Sequence, residues 1–194
     1  AHIVGLSMGA FATLHFGMRY PERALSLTIA GGGYGAHPAQ HEKFQTDAKA
    51  NAQLIRDKGM AYFAANYGHP TRIQLKNKDP RGYAEFARML ADHSAEGHAH
   101  TMLNLQLKRP TLWEMEAALK KFSVPLLVIV GDEDEPCIDG SVYLKRTALT
   151  AGLLVIPRSG HNVPTEEPAM FNAALADLFA AAEAGRWLAH KPSK

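Results

Sequence analysis

Ala1-His2-Ile3-Val4-Gly5-Leu6-Ser7-Met8-Gly9-Ala10-Phe11 is the stretch that decides the fold. Apolar and β-branched residues run up to Leu6, Gly5 to Gly9 read Gly-x-Ser-x-Gly, and Phe11, Leu14, His15 and Met18 then recur at helical spacing. The pattern predicts a strand, a tight turn and a helix. Tyr20 and Pro21 stop that helix, and Ala24 to Ala30 predicts a second strand ending in Gly31, Gly32 and Gly33. A strand–helix–strand unit of about 30 residues is the size of a parallel crossover.

In a turn of this kind Ser7 occupies a strained position with its hydroxyl above the sheet, and the flanking glycines let strand and helix approach closely. The helix that follows aims unpaired N–H groups at whatever Ser7 attacks. Met8 N–H is therefore the natural oxyanion donor. A serine needs a base in hydrogen-bond reach, and the base needs an acid to hold it. Two later apolar runs supply both. Leu126 to Val130, a strand suited to burial on both faces, empties into Gly131, Asp132, Glu133, Asp134. Leu153 to Ile156 ends at Pro157 and the turn Ser159, Gly160, His161. Catalytic groups in parallel α/β sheets gather at the carboxyl ends of strands, so Ser7, an acid among residues 132–134 and His161 form a consistent set.

Between these segments the pattern changes. From His37 to about Arg109 it is helical throughout, with breaks at Gly68 to Pro70 and Asn77 to Gly82, and it is too rich in aromatics for a linker. The expected division is a core of residues 1–36 and 109–194 with a helical cap at 37–108. Further helices are predicted at Thr111 to Phe122, around Tyr143 to Ala148, and at Pro168 to Ala184, the last with Met170, Phe171, Leu175, Leu178 and Phe179 on one face.

These residues resemble the α/β-hydrolase superfamily, in its capped serine esterase, lactonase and carbon–carbon hydrolase branch. Gly-Leu-Ser-Met-Gly, Gly-Asp-Glu-Asp and Ser-Gly-His followed by Glu166, Glu167 and Pro168 carry the likeness. The resemblance implies that the acid follows the strand-ending glycine by three residues, which selects Asp134 over Asp132, and that His161 is the base. It implies further strands before the turn, with a loop donating the second oxyanion N–H, so the chain reads as one entered partway through a longer protein whose N-terminal segment completes the sheet. It also implies acyl transfer through an acyl-enzyme on a small or medium ester, thioester or lactone, with the loop Gly31 to Gly35 bordering the pocket and Tyr34 lining it. Alternatives within the fold are a carbon–carbon hydrolase or cofactor-free peroxidase; outside catalysis, a ligand-binding protein retaining the triad. Dehalogenases and epoxide hydrolases carry Asp where Ser7 stands.

Composition sets the remaining bounds. With 46% hydrophobic and 21% charged residues the chain can bury a core, and 21 basic against 19 acidic residues, interspersed, offer no nucleic-acid face. Its apolar runs are far shorter than the roughly 20 residues of a membrane-spanning helix. The single cysteine, Cys137, excludes an internal disulfide and favours the cytoplasm. It is expected to be an inert thiol, since it lacks a strand-to-helix turn of its own. His93, His98 and His100 lack the spacing of a metal site. Neither metal nor cofactor is expected; the partner is a small-molecule substrate, with a homo-oligomer possible.

Overall fold

A computed structural model describes residues 1–67 and 70–190. Four strands form one wholly parallel sheet in the order β1 (His2–Leu6), β2 (Ser26–Ala30), β3 (Leu126–Gly131) and β4 (Ala151–Ile156). The first crossover is α1 (Met8–Arg19), and Leu6 pairs with Ala30 across it. Ile129 of β3 lies beside Ala30 of β2 and Leu154 of β4, so the three strands share one register at their carboxyl ends.

Alternation along the two central strands builds both faces. Leu27, Ile29, Leu126 and Val128 point to one side, where they meet Ala10, Phe11 and Leu14 of α1 together with Leu119 of α6 (Glu116–Leu119) and Leu144 of α7 (Glu135–Thr147). Ala30, Leu127 and Ile129 point to the other side, against Val163 of α8 (Val163–Glu166) and Phe171 and Leu178 of α9 (Pro168–Glu183). Period-two apolar residues buried on both faces are what a sheet covered by two helical layers requires. Every residue of β2 and β3 is buried, whereas Val4 of β1 is 42% exposed. Among the described residues β1 has a neighbour on one side only, which is why it is less buried than β2 and β3.

Between β2 and β3 the described residues form helices and no strand: α2 (Pro38–Ala65), a short 3-10 turn at Pro70–Arg72, α3 (Ile73–Lys78), α4 (Pro80–Ala91), α5 (Ala95–Thr101) running into a π-helical turn at Met102–Gln106, and then α6. Ile55, Met60, Phe63, Ala64 and Leu90 form an apolar cluster of their own there, distinct from the two that flank the sheet. The break expected at Asn77 to Gly82 is real: Asp79 caps α4 by accepting from Gly82 N–H at 2.9 Å. Gly68 and His69, in the other expected break, lie outside the described residues.

Two helix predictions need correction. Residues 111–122 do not make one helix; only α6 is helical. Glu114 accepts from both the backbone N–H and the hydroxyl of Thr111, and Leu112 N–H donates to Ala36 O, which ties the segment to the loop after β2 and leaves tight turns up to Met115. The helix expected near Tyr143 begins eight residues earlier, at Glu135, directly behind Asp134. On α9 the expected apolar face is buried at Phe171 and Leu178, but Met170 is exposed.

Candidate active site

Ser7 stands between β1 and α1 with φ 57° and ψ −112°, a conformation an L-residue adopts only under constraint. Its N–H donates to Ala30 O at 2.8 Å and its carbonyl accepts from Ala10 at 3.1 Å, so the bend is pinned at both ends. Gly5 is what lets α1 fold back so closely, because a Cβ there would lie 2.1 Å from Gly9 O and 2.5 Å from Thr13 Oγ1. Gly9, by contrast, faces open space among the described residues. Met8 N–H sits in the first turn of α1, where a helix has no internal acceptor for it.

The acid candidate follows β3. Asp134 N–H donates back to Gly131 O at 3.1 Å, and the carboxylate is 1% exposed. After β4 the chain turns through Arg158 (φ 55°) to His161, itself 7% exposed. His161 Nδ1 lies 2.8 Å from Asp134 Oδ2. An ionised carboxylate only accepts, so Nδ1 carries the proton and the neutral ring keeps a lone pair on Nε2. Asp132 is exposed and accepts from Ser159 N–H at 3.2 Å instead.

Ser7, Asp134 and His161 line one cavity of about 710 Å³, together with Gly31, Gly33 and Tyr34 from the loop after β2 and residues of α2. No hydrogen bond joins Ser7 Oγ to His161 among the described residues, and both line the cavity. A family model for the alpha/beta hydrolase family matches residues 1–174.

The chain belongs to the alpha/beta hydrolase family. It is 25% identical over 175 residues to a putative 2-succinyl-6-hydroxy-2,4-cyclohexadiene-1-carboxylate synthase of Bacillus subtilis, a match covering 87% of this chain and 62% of that protein. It is 27% identical over 184 residues to a 2-hydroxy-6-oxononadienedioate/2-hydroxy-6-oxononatrienedioate hydrolase of Burkholderia vietnamiensis, covering 89% and 59%. The chain thus spans about three fifths of the length of these curated relatives. The solved structure of MenH from S. aureus superposes with a TM-score of 0.84 at 17% identity, over 94% of this chain and 68% of that one, a likeness of fold.

Several side chains of this α/β-hydrolase that the sequence did not single out surround the three candidates. Glu166, 6% exposed, accepts from Gly160 N–H at 2.5 Å, from Asn162 N–H at 2.9 Å and from Ser159 Oγ at 3.1 Å, and so clasps the loop that carries His161. The only hint in the sequence was its place in the quoted Ser-Gly-His continuation.

Arg109, at the expected cap boundary, is buried with its guanidinium 3.7 Å above the Phe11 ring and 4.6 Å from that of Phe44. It donates to Tyr34 O and, at 3.0 Å, to Gln106 Oε1; its Nε is buried without a partner. Burial lowers its pKa to about 10. Arg72, stacked 4.6 Å over Tyr67, and Lys43 line the same cavity. Tyr34 also borders it, with its hydroxyl donating to Asp47. Burial and that carboxylate raise the Tyr34 pKa, which keeps the phenol neutral.

Cys137, on the first turn of α7, is 1% exposed. Its thiol donates to Gly31 O at 3.4 Å, and Sγ lies 4.0 Å from His161 Nδ1. Burial first, then the Asp134 charge, pushes the thiol pKa well up, which keeps it protonated and a poor nucleophile. Its contact with His161, 24 residues away in sequence, was invisible before folding. The histidine group weighed as a metal site is loose: His93 and His98 approach at 3.4 Å, while His100 pairs with Glu96 at 2.9 Å.

Proposed function

We propose that this chain carries the catalytic centre of a serine hydrolase, with Ser7 as nucleophile, His161 as general base and Asp134 as the orienting acid. The observation that carries the reading is a strained Ser7 opening onto the same cavity as a buried His161–Asp134 pair at 2.8 Å. Strain at a turn persists only where the surroundings enforce it, and it clusters at reacting groups. In the cycle, His161 Nε2 takes the Ser7 proton as Oγ attacks a carbonyl, Met8 N–H donates to the oxyanion, and Asp134 stabilises the imidazolium. His161 then protonates the leaving group, and water, activated the same way, releases the acid. The helices between β2 and β3, residues 37–108, act as a cap that sets the size of the substrate, and the reaction takes place in the cytoplasm.

The substrate is a small or medium ester, thioester or lactone that bears a carboxylate. Arg72 and Arg109 on the cavity support this, since neither has a carboxylate partner among the described residues, whereas Lys43 beside them pairs with Asp47 at 2.7 Å. Both relatives are named for carboxylate-bearing compounds, and the second is named a hydrolase of a dienedioate, which favours carbon–carbon bond hydrolysis as the second reading. The test compares hydrolysis of para-nitrophenyl acetate with that of the mono-para-nitrophenyl ester of succinate. Succinate ester turnover that Ser7→Ala abolishes, and a KM for it that Arg72→Met raises about tenfold while acetate is unaffected, are expected. Equal KM effects on both esters would remove the carboxylate claim, and turnover surviving in Ser7→Ala would remove the nucleophile.

A further inference from the structure

We infer that Asp134, Cys137 and His161 form an inhibitory binding site for a soft divalent cation such as Zn²⁺, reached from the cavity. Among the described residues these three are the one group of His, Cys, Asp or Glu whose ligand atoms converge, all lying within 4.8 Å of one another. One imidazole, one thiolate and one carboxylate are a donor set that suits zinc or cadmium and not magnesium or calcium.

The geometry is close to what an ion needs. Zinc bonds of about 2.0 Å to nitrogen and oxygen and about 2.3 Å to sulfur place tetrahedral ligands roughly 3.3 Å (N to O) and 3.5 Å (N to S) apart. The observed separations are 2.8 Å from His161 Nδ1 to Asp134 Oδ2 and 4.0 Å from Nδ1 to Cys137 Sγ. These two must change by about half an ångström, and Cys137 Sγ and the Asp134 oxygen, within 4.8 Å of each other, must come to about 3.5 Å, all within the reach of side-chain torsions. His161 and Asp134 line the cavity, which gives the ion its route and leaves water as the remaining ligand.

The protons account for inhibition. In the metal-free protein Nδ1 carries hydrogen toward Asp134 and Nε2 holds the lone pair. When the ion takes Nδ1, that hydrogen moves to Nε2, and Cys137 releases its thiol proton to solvent as the metal–sulfur bond forms. No electron is transferred. His161 then has no lone pair for Ser7 and no hydrogen bond to Asp134. That the ion inhibits rests on the proposed roles of Ser7 and His161; that it binds does not.

The test uses the whole protein, titrated with Cd²⁺ and Zn²⁺, beside Cys137→Ala and Cys137→Ser. An ultraviolet thiolate-to-cadmium charge-transfer band saturating at one ion per chain is expected in the wild type and absent in both variants. Zn²⁺ slows fluorophosphonate labelling of Ser7, reversibly by chelator, and losing the sulfur ligand weakens this at least about tenfold while metal-free labelling persists. A folded wild type with no band, or variants as zinc-sensitive as the wild type, would overturn the site; the latter places the ion elsewhere, as at His93 and His98. A band without any labelling in metal-free protein leaves the site standing and removes the serine-hydrolase reading instead.

Discussion

The backbone N–H of His161 donates to the carbonyl of Thr71 at 2.8 Å, so the candidate base is tied to the segment just before α3. The approach is so close that a Cβ on Gly160 would lie 2.0 Å from Thr71 O, which makes glycine the residue that fits there. The same strap reaches both functional loops: Gln74 donates to Glu133 at 2.7 Å, beside Asp134, and Lys78 donates to Glu167 at 2.5 Å and to Arg158 O. Residues between β2 and β3 therefore brace these loops as well as lining the cavity.

Lys78→Met tests that coupling. Lys78 and Glu167 are partly exposed, so the loss of stability is expected to stay below about 1 kcal/mol. A misplaced base costs rate in the chemical step, and kcat is expected to fall about three- to tenfold with KM changed less. Unchanged kcat in steady-state assays would show that the strap is structural only.

The backbone of Ser7 is held at positive φ, a strain of about 1–3 kcal/mol for an L-residue. Glycine relieves that strain and alanine does not. Ser7→Gly is expected to melt above Ser7→Ala, both being inactive, in a thermal unfolding comparison. Equal melting temperatures would mean that the turn relaxes when the side chain is removed.

Acid should weaken the fold partly through His98. Burial, with the His93 charge second, lowers its pKa below the usual 6.5. The unfolded chain then binds the proton more readily, so this contribution to stability is complete above about pH 6.5 and is lost as pH falls through the folded value. His98→Gln is expected to show a smaller stability loss than the wild type between about pH 7.5 and 5, by chemical denaturation. Identical pH profiles would assign the acid sensitivity to other groups.

What could be read in advance was whatever depends on local pattern. Leu126 to Val130 is a strand because its apolar run must face two helical layers, and Ser7 sits at a turn because the glycine spacing and the helical period after it admit little else. Residues 111–115 misled because their helical composition is overridden by Glu114 capping Thr111 and by Leu112 bonding to Ala36. Glu166 clasps its own loop, at Ser159, Gly160 and Asn162, through a fold of the turn that spacing does not specify, and Cys137 meets Gly31 and His161 only because the parallel sheet brings their loops together. Arg109 was noticed as a boundary residue; its insertion between Phe11 and Phe44 requires the packed α1 and α2.

The measurement that reaches the central claim most directly is intact mass before and after exposure to a fluorophosphonate, for the wild type, Ser7→Ala and His161→Ala. The account predicts one adduct on the wild type, none on Ser7→Ala, and labelling slowed at least about a hundredfold in His161→Ala. A folded wild type that takes no adduct, or a Ser7→Ala protein that takes one at the same rate, would contradict it.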